Sequence, residues 1–301
     1  MPVRYFFCSS SVLNEAALGA IPGARIGVVC DSDAKRAEML ARRHKAVAGK
    51  DARRLLQAET LDAAIIGATP KARSETARLC AENGIPTLLE MPPAPDRAGA
   101  MRLDAALRST RALCVPALPL RDSLAVLHAK KLIAKETPIH FALSCSAPSC
   151  GSAKHDGGEY AALFQALDTL RTIGGEIVRV VAISAKTKSL ALAVELKSGA
   201  TATLHTREDG AENPVFAAQL VLQESEIALD EKSVMVKMRD GMTTRNFADS
   251  PLLTLYQGFD EAVRTGKRTQ LRASWPEALK THTAWLAALS SLKSGKAVNL
   301  K

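Results

Sequence analysis

Leu88-Leu89-Glu90-Met91-Pro92-Pro93 is an apolar run of strand length that ends on a carboxylate and two prolines, and Gly84-Ile85-Pro86 sets it off from what precedes it. Two strand-and-helix units lie behind it, Ile26 to His44 and Ala63 to Asn83. The strand Ala63 to Ile66 is apolar at every position, as a strand buried on both faces of a parallel sheet must be. In the segment after Asp31-Ser32-Asp33, Ala37, Leu40 and Ala41 recur at helical spacing. Alternation of such strands and helices predicts a parallel sheet with helices on both faces.

Toward the N-terminus, Val3 to Cys8 reads as a further apolar strand, and Ser9-Ser10-Ser11 as a turn able to cap a helix from Val12 to Ala20. Pro22-Gly23 stops that helix before the strand Arg25 to Cys30. A helix Ala52 to Ala58, a helix Ser74 to Asn83, the strand Pro86 to Glu90, a helix Arg97 to Ser109 and a strand Ala112 to Val115 complete the series. Pro116 to Pro119 is the expected crossing into a second domain. There a helix from Ser123 to Ala134 is followed by strands with an apolar period of two: Ile139 to Cys145, Ile177 to Ser184, Leu190 to Leu196, Ala200 to His205, Ala217 to Gln223 and Ser233 to Val236. The helix Glu159 to Ile173 interrupts them, and amphipathic helices Leu253 to Thr265 and Trp275 to Leu292 end the chain. A sheet with helices on one side is the expectation for this half.

A chain of 301 residues is long enough for two domains. With 47% hydrophobic and 24% charged residues the composition is that of a globular protein, and no apolar run approaches the roughly 20 residues of a membrane span. Met1-Pro2-Val3-Arg4 leads straight into a strand, so a cytoplasmic location is expected. The six cysteines lie mostly in apolar contexts and read as reduced thiols. The net charge of +9 is spread over helix faces without interleaved aromatic residues, which argues against a nucleic-acid partner.

The order strand, turn, helix, Gly, strand and then Glu-x-Pro resembles the glucose–fructose oxidoreductase/inositol dehydrogenase (Gfo/Idh/MocA) family of nicotinamide-dependent dehydrogenases. Phe259, then Ala262 to Lys267, Glu277-Ala278-Leu279, a stop at Ser291 to Gly295 and Val298 are similar to that family's C-terminal order. The resemblance implies a Rossmann-type doubly wound parallel sheet over residues 1–118. An α+β domain with an open, mostly antiparallel sheet follows over 119–301, its C-terminal helices free to pack back on the first domain. It also implies a small-molecule ligand in an interdomain cleft and a homo-oligomer formed through the open sheet, or an assembly with a complete paralogue.

The positions that carry the family's chemistry are altered. A dinucleotide turn needs glycines so that backbone can approach a pyrophosphate, yet the GxGxxG positions fall at Phe6, Cys8 and Ser11, and no glycine occurs from Met1 to Ala17. Ser9, Ser10 and Ser11 either cradle a phosphate or only cap the helix. Asp31 has the residue type and position that bind an adenosine ribose, or else it caps the next helix. A carboxylate there disfavours a 2′-phosphate, so cofactor binding is expected to be absent or weak, with NAD preferred over NADP. The family's cofactor turn persists as Thr69-Pro70, but its Asn and His are replaced by Lys71 and Ser74. Glu90 of Glu-x-Pro is kept, whereas the lysine that orients substrate and assists proton transfer is Met91. The family's Asp-x-x-x-His pair aligns with Ala161 and Gln165.

Met91, Ala161 and Gln165 do not exchange protons. Tyr160, His155 and Arg121, the last matching the family's arginine at the start of the second domain, are the available substitutes. Within the family, the biliverdin reductases also lack the lysine. His140, Cys145, Cys150 and His155 are evenly spaced by five, but a strand turns His140 and Cys145 to opposite sides, so no metal site is expected. The resulting expectation is a divergent member that has lost conventional dehydrogenase chemistry and acts through ligand or partner binding. The alternative is an active NAD(P)-dependent oxidoreductase on a sugar-like polyol or carbonyl compound, working with replacement residues.

Overall fold

The structure, a computed structural model, describes residues 2–8, 15–148, 158–186, 188–209 and 215–300. It divides into two compact units, one of Met1–Ala117 with Leu252–Pro276, the other of Leu118–Pro251 with Glu277–Lys301.

The first unit is built on a six-stranded parallel sheet in the order β3-β2-β1-β4-β5-β6. Its strands are β1 (Val3–Cys8), β2 (Ala24–Cys30), β3 (Val47–Gly49), β4 (Ala63–Ile66), β5 (Thr87–Glu90) and β6 (Cys114–Ala117). Helices α1 (Glu15–Gly19), α2 (Ala34–His44), α3 (Ala52–Ala58), α4 (Pro70–Glu82) and α5 (Arg97–Thr110) connect them. This is the doubly wound dinucleotide-binding topology, in which the strand order reverses between β1 and β4. Aspartates start three of the helices by accepting orphan backbone N–H groups: Asp33 from Lys35 and Arg36, Asp51 from Arg54, and Asp96 from Gly99.

Helix α4 starts four residues before the expected Ser74, because Pro70 occupies its first turn, where its preset φ is an advantage and its missing N–H is no loss. The last strand is Cys114–Ala117 rather than Ala112 to Val115. β3 was not anticipated, since three residues are too few to display a period. Tyr5, Val29, Ile65 and Leu88 form the centre of one core face, and Leu255, Tyr256 and Phe259 of α8 (Pro251–Thr265) pack into the same cluster. Tyr5 Oη donates to Asp260 Oδ1 at 2.7 Å, and Arg264 holds that carboxylate from one turn further on.

The second unit carries a nine-stranded mixed sheet in the order β14-β13-β12-β11-β7-β10-β9-β8-β15. Its strands are β7 (Pro138–Pro148), β8 (Ile177–Lys186), β9 (Ser189–Leu196), β10 (Thr201–Asp209), β11 (Val215–Leu222), β12 (Glu226–Asp230), β13 (Ser233–Met238), β14 (Gly241–Asn246) and β15 (Val298–Asn299). Only β7 and β10 pair in parallel; the other neighbours are antiparallel. Helix α7 (Gly158–Gly174) lies on β7 and β10 and supplies Phe164, Leu167 and Leu170 to the core, where Trp285 of α9 (Trp275–Ser294) meets Phe164. Helix α6 (Leu124–Ile133) packs on β12 and β13.

Every residue of β14 is exposed, so it lacks the apolar alternation that marks its neighbours, and it was missed for that reason. β12 and β15 were missed because they are short. Among the described residues no helix is long and apolar enough to cross a membrane.

Candidate functional site

In an open parallel sheet, ligands bind outside the carboxyl ends of the strands at the point where strand order reverses. In the first unit this edge comprises Cys8, Asp31, the Gly67-Ala68-Thr69-Pro70 turn after β4 and the Glu90-Met91-Pro92 turn after β5. Phe6 is fully buried and Cys8 nearly so, which makes both β1 glycine positions part of the packed sheet. Ser9, Ser10 and Ser11 lie outside the described residues.

Asp31 is 5% exposed. Its Oδ1 accepts the Asp33 N–H at 2.9 Å, and Arg36 grips both oxygens, Nε on Oδ2 at 2.5 Å and Nη2 on Oδ1 at 2.8 Å. Donating to the Asp31 carboxylate raises the pKa of Arg36 further and keeps a cation at the end of β2. Ribose hydroxyls arriving at Asp31 would have to compete with this bidentate pair. The helix cap itself is Asp33, so Asp31 supports the turn from one position upstream.

The two neighbouring turns are joined by a residue that sequence reading passed over. Arg73 is buried in α4 and donates to three backbone carbonyls: Nε to Gly67 at 2.9 Å, Nη2 to Ala68 at 2.7 Å and Nη1 to Pro92 at 2.5 Å. Nη2 also lies 3.3 Å from Glu90 Oε2, an ion pair shielded from solvent on both sides. Ala68 has a left-handed backbone, φ 61°, which a residue with a Cβ rarely adopts, and the bond from Arg73 to its carbonyl helps to hold it there. The Met91–Pro92 peptide is cis. The available signal was position, since Arg73 falls on the buried stripe of α4 that also carries Pro70, Ala77 and Cys80.

Thr69 is exposed at the start of α4 and makes no side-chain cap, while Pro70 is buried. Met91 is 2% exposed, an apolar thioether where the resemblance expects an ammonium. Nothing at this position gives up or accepts a proton.

In the second unit, Tyr160, Ala161 and Gln165 are half-buried in the first turns of α7. The Tyr160 carbonyl accepts from Trp285 Nε1 at 3.1 Å, and burial, helped by Glu159, pushes its phenol above the ordinary value. Arg121 is spread across Asp168, Nε to Oδ2 at 2.8 Å and Nη2 to Oδ1 at 2.9 Å, and Thr281 donates to the same carboxylate at 2.8 Å. Burial alone would lower the Arg121 pKa; the hydrogen bond and charge of Asp168 outweigh it and keep the guanidinium ionised. Its fork is thus already engaged within the fold. His155 and Cys150 lie outside the described residues. Cys145 is in the core, whereas His140, on the other side of β7, meets Thr201 Oγ1 at 2.8 Å.

Residues 11–117 match the family described as GFO_IDH_MocA, an oxidoreductase family with an NAD-binding Rossmann fold. No curated protein matches the chain. Among solved structures, an oxidoreductase from Agrobacterium radiobacter in complex with NAD+, L-tartaric acid and magnesium is similar at 17% identity, with a TM-score of 0.79 over 99% of this chain and 98% of that one. Levoglucosan dehydrogenase in complex with NADH and levoglucosan is similar at 14% identity, with a TM-score of 0.82 over 100% of both chains. An NAD binding oxidoreductase from Klebsiella pneumoniae is 16% identical with a TM-score of 0.78, covering 100% of this chain and 99% of that one. At these identities the likeness is one of fold.

Proposed function

Because residues 11–117 match the Gfo/Idh/MocA oxidoreductase family, we propose that this protein belongs to that family, has lost its conventional proton-coupled dehydrogenase chemistry and acts by binding a small molecule at the carboxyl edge of the six-stranded sheet. The observation that carries this reading is Met91, buried at the end of β5 where hydride transfer to or from an alcohol needs a group that takes up a proton. Two further features support it. Asp31 is tied to Arg36, and the turns after β4 and β5 are knitted together by Arg73, which presents carbonyls already committed to internal donors.

The ligand is a small polar molecule, and a nicotinamide dinucleotide binds weakly if it binds at all. Where a dinucleotide is held, NAD is preferred, because Asp31 repels a 2′-phosphate. Calorimetric titration with NADH and NADPH tests the reading: the expected outcome is no saturable heat at micromolar cofactor. Met91→Lys alone is expected to restore no dehydrogenase turnover. Micromolar NADH affinity together with turnover that collapses on Tyr160→Phe would overturn the proposal in favour of an active NAD(P)-dependent oxidoreductase with replacement residues.

The proposal extends to assembly. One face of the nine-stranded sheet carries α7, and the other presents small side chains, Ala142, Ala191 and Ala217, around Thr203 and His205, forming a shallow groove of about 400 Å³. A smooth, weakly charged sheet face of this kind suits a second copy of the same chain.

A further inference from the structure

We propose that Cys8 and Cys30 form a reversible dithiol–disulfide pair, a redox modification site at the carboxyl ends of β1 and β2. The register of the two strands brings them together. Tyr5 lies opposite Ile26, but Phe6 lies opposite Val28, so β2 contributes one extra residue, Gly27, and Cys8 comes to face Cys30 directly. An unbroken register would have set Cys8 against Val29 and turned Cys30 to the other side of the sheet. A Cβ on Gly27 would sit 2.3 Å from the Arg4 side chain, so a larger residue there would displace Arg4. Arg4 is itself fixed by bonds to Thr60 and Glu59.

Partners in adjacent parallel strands point their side chains the same way, and their Cα atoms lie about 4.8 Å apart. That spacing falls within the roughly 4.4–6.8 Å over which a disulfide closes without moving the backbone far. The interaction between the two side chains lowers the Cys30 pKa and raises that of Cys8, so the thiolate of the pair settles on Cys30. The guanidinium of Arg73 acts on Cys8 in the direction that favours a thiolate. Other cysteines differ. Burial pushes Cys80 and Cys145 up to about 12 and raises Cys114 as well, which leaves them poor nucleophiles.

The oxidant is hydrogen peroxide and the reductant a small dithiol. The Cys30 thiolate attacks the peroxide, the O–O bond breaks, and a sulfenic acid forms as hydroxide leaves and takes up a proton to become water. The Cys8 sulfur then attacks the sulfenic sulfur, the S–S bond forms, and the Cys8 proton departs with the sulfenic oxygen as a second water. Two electrons pass from the thiols to the peroxide. The bridge would staple the ends of β1 and β2 beside Asp31.

The test uses the native full chain and does not depend on any cofactor binding. After treatment with one equivalent of hydrogen peroxide, free thiols are blocked under denaturing conditions and the tryptic peptides are weighed. The expected product is peptide 5–25 joined to peptide 26–35 with the loss of two hydrogens, released by dithiothreitol, with Cys80, Cys114 and Cys145 recovered as blocked thiols. Cys80→Ser is expected to leave the yield unchanged and Cys30→Ser to abolish it. Recovery of Cys8 and Cys30 as free thiols from the parent chain, or their linkage to any other cysteine, would overturn the proposal.

Discussion

Arg73 shows how much a single side chain can organise at the carboxyl edge of a parallel sheet. Its planar fork satisfies carbonyls on two different turns and faces Glu90 in a region closed to solvent. Replacing it by Met keeps the volume but withdraws the charge from Glu90 and the donors from Gly67, Ala68 and Pro92. Arg73→Met is therefore expected to lower stability by about 3–5 kcal/mol in urea denaturation, as removal of one partner from a buried pair does. Arg73→Lys should recover less than half of the loss, because a point-like ammonium does not span the same acceptors. A helix beginning after Asp31-Ser32-Asp33 was legible from the sequence, although the residue that caps it is Asp33 and not Asp31. Arg73 was not, because its meaning comes from atoms up to 19 residues away.

Helix α8 is the element whose allegiance matters most for the first unit. It enters the chain far from β1 in sequence and still places Leu255, Tyr256 and Phe259 in the core beside Tyr5. Tyr5→Phe removes the bond to Asp260 and is expected to cost about 1.5–3 kcal/mol, the range for a hydrogen bond to a charged acceptor. Buried phenols and thiols on several elements make the fold sensitive to alkali. Burial raises the Tyr5 and Tyr256 phenols, and it pushes the Cys80 and Cys145 thiols from 9.0 up to about 12. Above pH 9 the unfolded chain gives up these thiol protons while the folded chain keeps them, so stability is fully present below that pH and falls as pH rises toward about 12. Denaturation midpoints measured across this window should decline with pH, and Cys80→Ala should flatten the slope. The continuously apolar β4 and the amphipathic α8 were legible as elements because burial imprints a local period on sequence. The exposed edge strand β14 buries nothing and so left no imprint.

For the whole molecule, the open face of the nine-stranded sheet carries the assembly prediction. Light scattering coupled to size exclusion is expected to return a dimer for the parent chain and a monomer for Ala217→Glu, which sets a carboxylate on the groove floor near His205. A parent chain that stays monomeric at every concentration would remove this part of the proposal. The succession of strands and helices, their parallel arrangement in the first half and the presence of a methionine at position 91 were determined by the amino-acid sequence alone, because hydrophobic period, chain-breaking residues and side-chain chemistry are local properties. Tertiary structure alone decided the register shift at Gly27 that sets Cys8 against Cys30, the bridging of two turns by Arg73 and the recruitment of α8 to the first core. These are through-space pairings between distant segments, and their energy depends on which surfaces meet, a quantity that no window along the chain contains.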